Sequence, residues 1–238
     1  MLILQIFVAL LSLVLLYILF LAVCSLFVNP NREYENHSDF YRSLLNGATA
    51  IAIKIMRIHL VTTGLDKIPS DTKKLLFVSN HRSKFDPIVT WHILKKWKPA
   101  FVSKASNFKV PIFGRLIRKC CFMAIDRENP RNAIKTINKA SNLLKNEEVS
   151  VGIYPEGTRS KTCELLPFHS GVFIIAQKAA ADIVVLTVSG TEMVHKNYPF
   201  HHSDVHFDVL EVIPSQMVKN TRTELLGAHI RSLMKEHL

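Results

Sequence analysis

The sequence predicts an α/β fold: a mixed, mainly parallel sheet covered by helices, preceded by an N-terminal membrane-anchor helix and an amphipathic helix. Three observations carry this reading. Short apolar runs of strand length, at 75–78, 100–102, 122–125, 149–154 and 183–188, alternate with longer stretches of helical periodicity, the pattern of a sheet buried on both faces. The 238 residues are 48% hydrophobic and 21% charged, too apolar for a disordered chain and long enough for one sizeable domain plus an anchor, not for two full enzymatic domains. Finally, Met1 to Asn31 contain no Asp, Glu, Lys or Arg, so every charge behind the net +11 lies in the remainder.

Each element follows in order. Residues 2–28 are broken only by Gln5, Ser12 and Ser25, and about 20 apolar residues suffice to cross the hydrocarbon core. A cleaved signal would want a basic leading region, a shorter apolar core and small residues at the cut. Leu21 to Cys24 has a trace of a lipoprotein signal, but the missing leading charge and Val23 before the cysteine argue against it, so the segment reads as a retained anchor. Arg32 and Arg42 follow it and favour a cytoplasmic face for what comes after. The expected divisions are therefore anchor 1–31, linker and amphipathic helix 32–62, and a third unit 63–238. In the linker unit Leu44, Ala48, Ile51, Ile55 and Ile58 recur at helical spacing, with Arg42, Lys54 and Arg57 between them. This stripe fits a core-facing helix and equally a helix lying in a lipid interface. A turn at 64–69 leads to the strand 75–78. Helices are expected at 87–97, at 131–145 with Ile134, Ile137, Leu143 and Leu144 inward, at 171–181 and at 221–237. The run 205–212 alternates as a strand with one wet face does.

The four cysteines, Cys24, Cys120, Cys121 and Cys163, show no C-x-x-C spacing, so neither a zinc site nor a disulfide framework is indicated. His201, His202 and His206 lack acidic or thiol partners at ligand spacing and read as surface. No metal site is expected.

Chemistry gathers at the loops after three strands. Asn80 and His81 end the first, and Asp86 follows five positions after the histidine, with Pro87 behind it. A carboxylate on one imidazole nitrogen fixes the tautomer and leaves the other nitrogen to accept a proton from a hydroxyl, with no nucleophilic side chain required. The same residues also read as plain structure, Asp86 and Pro87 as a helix cap and first turn, His81 as a hydrogen-bonded core residue. Tyr154, Pro155, Glu156, Gly157, Thr158, Arg159 and Ser160 follow another strand. Gly157 permits close backbone approach there, and Arg159 offers a planar fork for phosphate or carboxylate. Lys104 and the Ile125, Asp126, Arg127 run add cations that can meet the same anion, although Arg127 also fits a local pair with Asp126 or Glu128.

Taken in order and spacing, N-H-x-x-x-x-D at 80–86, Lys104 with P-x-x-G at 111–114, I-D-R at 125–127, P-E-G-T-R-S at 155–160 and F-x-x-G at 168–171, the chain resembles the 1-acyl-sn-glycerol-3-phosphate acyltransferase family of glycerolipid acyltransferases. The resemblance covers about 75–190. It implies transfer of a fatty acyl group from an acyl-CoA or acyl carrier protein thioester to the sn-2 hydroxyl of lysophosphatidate, giving phosphatidate, with the thioester as co-substrate and no further cofactor. By the family mechanism His81 is the general base, Asp86 orients it, and the hydroxyl attacks the thioester directly. Arg127, Arg159 and Lys104 are the implied phosphate ligands, and Glu156, Gly157 and Thr158 belong to the motif that shapes the acceptor site.

The sequence also departs from the family's pattern. Cys120 and Cys121 stand where glycine is common, Val184 to Leu186 lack a frequent proline, Tyr154 replaces phenylalanine, and His169 occupies a common lysine position. These bear on acceptor and acyl-chain preference, since pocket shape depends on such neighbours. Relatives with the same motifs acylate glycerol-3-phosphate, other lysophospholipids or lipid amines. Outside enzymes, +11 of charge suits an anionic-lipid or nucleic-acid binder, but no nucleic-acid-binding signature is visible and no nucleic-acid partner is expected. A thioesterase would want a G-x-S-x-G elbow, which is missing.

Overall fold

A computed structural model describes residues 1–126 and 129–238. The first helix, α1 (Leu2–Leu26), is long and apolar enough to cross a membrane, with a mean hydropathy of 3.1 and side chains almost entirely exposed up to Phe20. Its carboxyl-terminal part packs: Leu21 and Cys24, with Val28 beyond the helix, join an apolar cluster with Tyr41, Leu44, Leu45 and Trp91, and Tyr17 rests against it. The second helix, α2 (Asp39–Ile55), runs antiparallel to it, since the Tyr17 hydroxyl donates to Leu44 O at 2.7 Å and the Tyr41 hydroxyl to Cys24 O at 3.0 Å.

The stripe expected on α2 is displaced. The buried face is Tyr41, Leu44, Leu45, Thr49 and Ile53, whereas Ile55 is exposed and Ile58 lies beyond the helix. Arg42, a polar-face residue by sequence, is buried. Its guanidinium donates to Pro99 O at 3.0 Å and Cys120 O at 3.1 Å and lies 5.1 Å from the Trp91 ring centroid. The fixed fork of arginine lets it tie α2 to two other chain segments through carbonyls, which a point-charge lysine cannot do as well. Burial pushes the neighbouring Cys120 and Cys121 thiols up to about 12 and about 11, against the pull of Arg42, so both are inert.

The sheet begins earlier than the sequence indicates. Arg57 takes a positive φ of 54° and turns the chain directly into β1 (Ile58–Thr63), inside the stretch read as linker and helix. Then come β2 (Leu75–Ser79), α3 (Asp86–Leu94), β3 (Pro99–Lys104), α4 (Phe113–Lys119), β4 (Met123–Ile125), α5 (Pro130–Lys145) and β5 (Ser150–Ile153). The chain closes with α6 (Ile174–Ala179), β6 (Asp182–Ser189), α7 (Val194–Asn197), β7 (Ser203–Ile213), α8 (Ser215–Asn220) and α9 (Thr223–His237). Strand order is β1-β7-β6-β2-β5-β3-β4, with β6 and β7 antiparallel and the other neighbours parallel. This is the mixed, mainly parallel sheet the alternation predicts. One apolar cluster packs α5, α6 and α9 on one face, and a second, with Phe77, Val89, Leu94 and Phe207, fills the other. On α5, Leu143 and Leu144 point inward as expected and Ile137 packs against the core, but Ile134 is exposed because Thr136 and Ala140 hold the inward turn instead.

The parallel strands β6, β2, β5, β3 and β4 all end on one edge of the sheet. Loops leaving that edge are free to converge, and it is where ligands bind in open α/β sheets.

Candidate active site

His81 leaves the carboxyl end of β2, and its position is fixed before its chemistry is considered. The Asn80 side chain donates to Val188 O at 2.9 Å and accepts from Val188 N at 2.8 Å, so a buried amide continues the β2–β6 ladder by one rung. The main chain of His81 is held from the next loop: its N–H donates to Glu156 Oε1 at 2.6 Å, and its carbonyl accepts from Ser160 N at 2.8 Å. Glu156 Oε2 in turn accepts from Leu166 N at 2.9 Å. Burial raises the Glu156 carboxyl above the usual carboxylate range, against the opposing pull of the Leu166 and His81 N–H groups. Both of its oxygens are thus occupied within the protein, and Glu156 supports His81 rather than facing solvent.

The ring of His81 stacks on Tyr154, centroids 4.3 Å apart, and Tyr154 stacks on Phe101. Burial pushes the Tyr154 phenol well above its ordinary value, with the Asp86 charge adding to the effect, so it stays neutral. Nδ1 of His81 lies 2.8 Å from Asp86 Oδ2. The same oxygen accepts from the backbone N–H groups of Arg82 and Ser83, each at 2.7 Å, while Oδ1 accepts from the Thr191 hydroxyl. Asp86 is fully buried and opens α3 as its first helical residue, with Phe85 as the cap, so the capping role open to it in sequence is not the one it takes.

A carboxylate that accepts two backbone N–H groups and a hydroxyl is an acceptor, so Nδ1 carries the proton and donates. Nε2 then presents its lone pair, and among the described residues it has no hydrogen-bond partner. The His81 side chain is 17% exposed against 0% for Asp86, which leaves one face of the ring open.

The remaining candidates lie along the same edge. Lys104 ends β3 and is exposed. Thr158 and Arg159 are exposed on the loop after β5. Gly157 has φ +70°, and a Cβ there meets the His169 ring at 3.0 Å, so this turn requires glycine. Arg127 lies outside the described residues. Among the described residues no group of three or more His, Cys, Asp or Glu side chains could hold a metal ion. An open groove of about 650 Å3 bounded by Glu33, Lys139 and Glu148 lies toward the amino end of β5 and includes none of these residues.

Sequence reasoning missed Thr191 and Ser83. The Ser83 hydroxyl donates to Thr191 O at 3.0 Å, so the two loops lock each other as well as Asp86. Thr191 is fully buried and follows Gly190, where φ is +86° and a Cβ comes within 2.1 Å of Asp204 O. The one available signal was the glycine directly after an apolar strand.

The sequence profile of the family described as acyltransferase matches residues 59–190, more than half of the chain. The chain belongs to the acyltransferase family. Among curated relatives, a 1-acyl-sn-glycerol-3-phosphate acyltransferase of Chlamydomonas reinhardtii is 32% identical over 64% of this chain and 46% of its own length. One from Escherichia coli is 30% identical over 68% of this chain and 66% of its own length. A chloroplastic one from Brassica napus is 29% identical over 74% and 49% respectively, so the matches span about half to two thirds of these relatives. The acyltransferase fold recurs in the crystal structure of the 1-acyl-sn-glycerophosphate acyltransferase of Thermotoga maritima. The TM-score is 0.69 at 22% identity, over 82% of this chain and 79% of that one. His81, Asp86, Lys104 and the 155–160 loop all fall inside the span matched to the family.

Proposed function

We propose that the chain transfers a fatty acyl group from an acyl-CoA or acyl carrier protein thioester to the sn-2 hydroxyl of 1-acyl-glycerol-3-phosphate, giving phosphatidate. The observation that carries this reading is a buried carboxylate fixing one nitrogen of His81 while the other has no partner among the described residues, at the carboxyl edge of a mainly parallel sheet in an acyltransferase-family chain. The names of its relatives supply the substrate class.

In the proposed reaction His81 Nε2 takes the proton of the sn-2 hydroxyl as its oxygen attacks the thioester carbonyl. Asp86 stabilises the imidazolium so formed. The tetrahedral intermediate collapses with breakage of the C–S bond, and His81 returns the proton to the departing thiolate. No acyl-enzyme forms. The acceptor phosphate is assigned to Arg159 and Lys104, with Arg127 from the sequence motif as a third ligand, because guanidinium forks bind phosphate oxygens in pairs. Thr158 and Gly157 shape the same loop. The proposed setting is a membrane, with α1 as anchor and the catalytic unit on the cytoplasmic face, where an amphiphilic acceptor and product reside.

The test is an acceptor and donor panel on purified full-length protein, with lysophosphatidate, glycerol-3-phosphate and a neutral lysolipid each offered acyl-CoA and acyl carrier protein thioesters. Turnover is expected with lysophosphatidate, and Arg159→Ala should raise its KM about tenfold or more through loss of a charged hydrogen-bonding partner. Turnover of glycerol-3-phosphate alone would overturn the acceptor assignment.

A further inference from the structure

The end of the sheet that carries His81 also carries an exposed apolar loop that the proposed chemistry does not use. Met193, just before α7, and Tyr198 and Phe200, on the loop from α7 into β7, are 40%, 41% and 80% exposed. Phe200 is almost wholly open, and with Met193 and Tyr198 it places three exposed apolar side chains within eight residues. The patch is tied down: Arg57 Nη1 donates to Pro199 O and Phe200 O, each at 3.1 Å, joining the loop to the turn between α2 and β1. Exposed Arg57 touches the loop, exposed Lys54 lies three residues before Arg57, and exposed Lys196 lies on α7 within the same segment, so the apolar tips have cations on the elements they adjoin.

Where this loop sits relative to α1 decides what can cover it. Because α1 and α2 are antiparallel and Tyr17 meets Leu44, the amino-terminal part of α1 runs toward the end of α2. The fifteen residues of α1 before Tyr17 add about 22 Å, and the eleven residues of α2 after Leu44 about 16 Å, at 1.5 Å per residue. The exposed apolar length of α1 therefore reaches the level of the α2 end, of the start of β1 and, through the Ile58 to Ser203 pairing, of the start of β7 just after Phe200. Lipid that covers α1 comes to the height of the aromatic loop.

We infer that the 193–200 loop is a second membrane contact, with Phe200 and Tyr198 entering the interface of an anionic bilayer while Lys54, Arg57 and Lys196 meet lipid headgroups. Aromatic rings favour that depth, and cations near an anionic leaflet add to binding. The contact holds the open face of His81 against the bilayer instead of leaving the domain to swing on α1. This inference rests on reading α1 as embedded in lipid, and not on the identity of the acceptor.

Three substitutions, each adding one tryptophan to the full-length protein, test it on phosphatidylcholine and phosphatidylglycerol vesicles with or without brominated acyl chains. The signal is read against wild type, whose Trp91 and Trp97 are buried. Leu10→Trp reports α1. Leu225→Trp, exposed at the start of α9 after the opposite end of β7, reports the far side. Phe200→Trp is expected to show a blue shift and bromine quenching close to those of Leu10→Trp, with Leu225→Trp unquenched. Quenching at Leu10 but none at Phe200 overturns the inference and leaves α1 as an anchor. No quenching at either position overturns the lipid reading of α1 as well. As a second measurement, Lys196→Glu should lower partitioning onto anionic vesicles at least about fivefold and leave that onto pure phosphatidylcholine unchanged. Equal loss on both lipids, or none on either, counts against the headgroup contact.

Discussion

Among the described residues five histidines have a carboxylate partner, and two of these rings are enclosed, His81 and His37, at opposite ends of the sheet. At the carboxyl end His81 meets Asp86 at 2.8 Å. At the amino end His37 Nδ1 meets Glu148 Oε1 at 2.5 Å, and its side chain, 11% exposed, is more enclosed than that of His81. The difference lies in the second nitrogen. His37 Nε2 is engaged by Asp39 at 3.2 Å and by Lys98 Nζ at 3.0 Å, and Lys98 also donates to Asp39 at 2.7 Å. Every polar atom of the His37 ring is used to fasten the start of α2 to the loops before β3 and β5, whereas Nε2 of His81 has no hydrogen-bond partner among the described residues. A carboxylate beside a histidine thus identifies a fixed ring, and a site needs the ring's far side left free.

The largest effect expected from this contrast is on turnover. Replacing His81 by Ala should reduce kcat about 10³-fold or more with the fold retained, as loss of a general base does. His37→Ala should leave kcat of the folded protein within about threefold while lowering unfolding free energy by about 1–3 kcal/mol, because Glu148 loses its partner. Rates on lysophosphatidate and chemical denaturation of both variants measure it, and a His37 variant as slow as the His81 variant would erase the distinction.

Smaller effects should come from what fixes Asp86. Thr191→Val removes the hydroxyl on Oδ1 and should lower kcat about tenfold with KM little changed, and Thr191→Ser should restore most of it. A Val variant as fast as wild type, with the loss confined to Ser, would show that the methyl packing matters and the hydrogen bond does not.

The smallest concerns pH. Burial pushes Glu148 upward, but the His37 N–H, ring and charge outweigh it and hold the carboxyl below its ordinary value, whereas Glu156 is held above. A lowered carboxyl contributes stability that is present above its unfolded pKa and is lost as pH falls through the folded value. A raised one does the reverse, losing its contribution as pH rises. Glu148→Gln should therefore flatten the acid limb of the stability curve, as seen in denaturation midpoints between pH 6 and 3. An unchanged limb would place the acid sensitivity elsewhere.

Much of this was legible in the sequence, for identifiable reasons. Strands β2, β5 and β6 are continuous apolar runs because both faces are covered, and β7 alternates because one face is wet. The pairing of His81 with Asp86 spans five residues, within reach of one turn. Thr191 was invisible because its partner is 105 residues away, and nothing local marks a buried threonine as a donor to a particular carboxylate. Strand β1 was hidden because helix and strand meet at Arg57 with no glycine or proline between them, so Ile58 extended a helical pattern by coincidence of spacing. The short α4 carries too few turns for periodicity to show.

The cysteines have a practical consequence. Three are buried and the fourth, Cys163, is half exposed, so in the folded protein a maleimide dye has a single ready point of attachment. That point lies four residues after Arg159 and three before Leu166, whose N–H holds Glu156. A fluorophore placed there without any mutation would sit on the very loop assigned to the phosphate, and its emission could be titrated against acceptor while turnover is followed in the same cuvette.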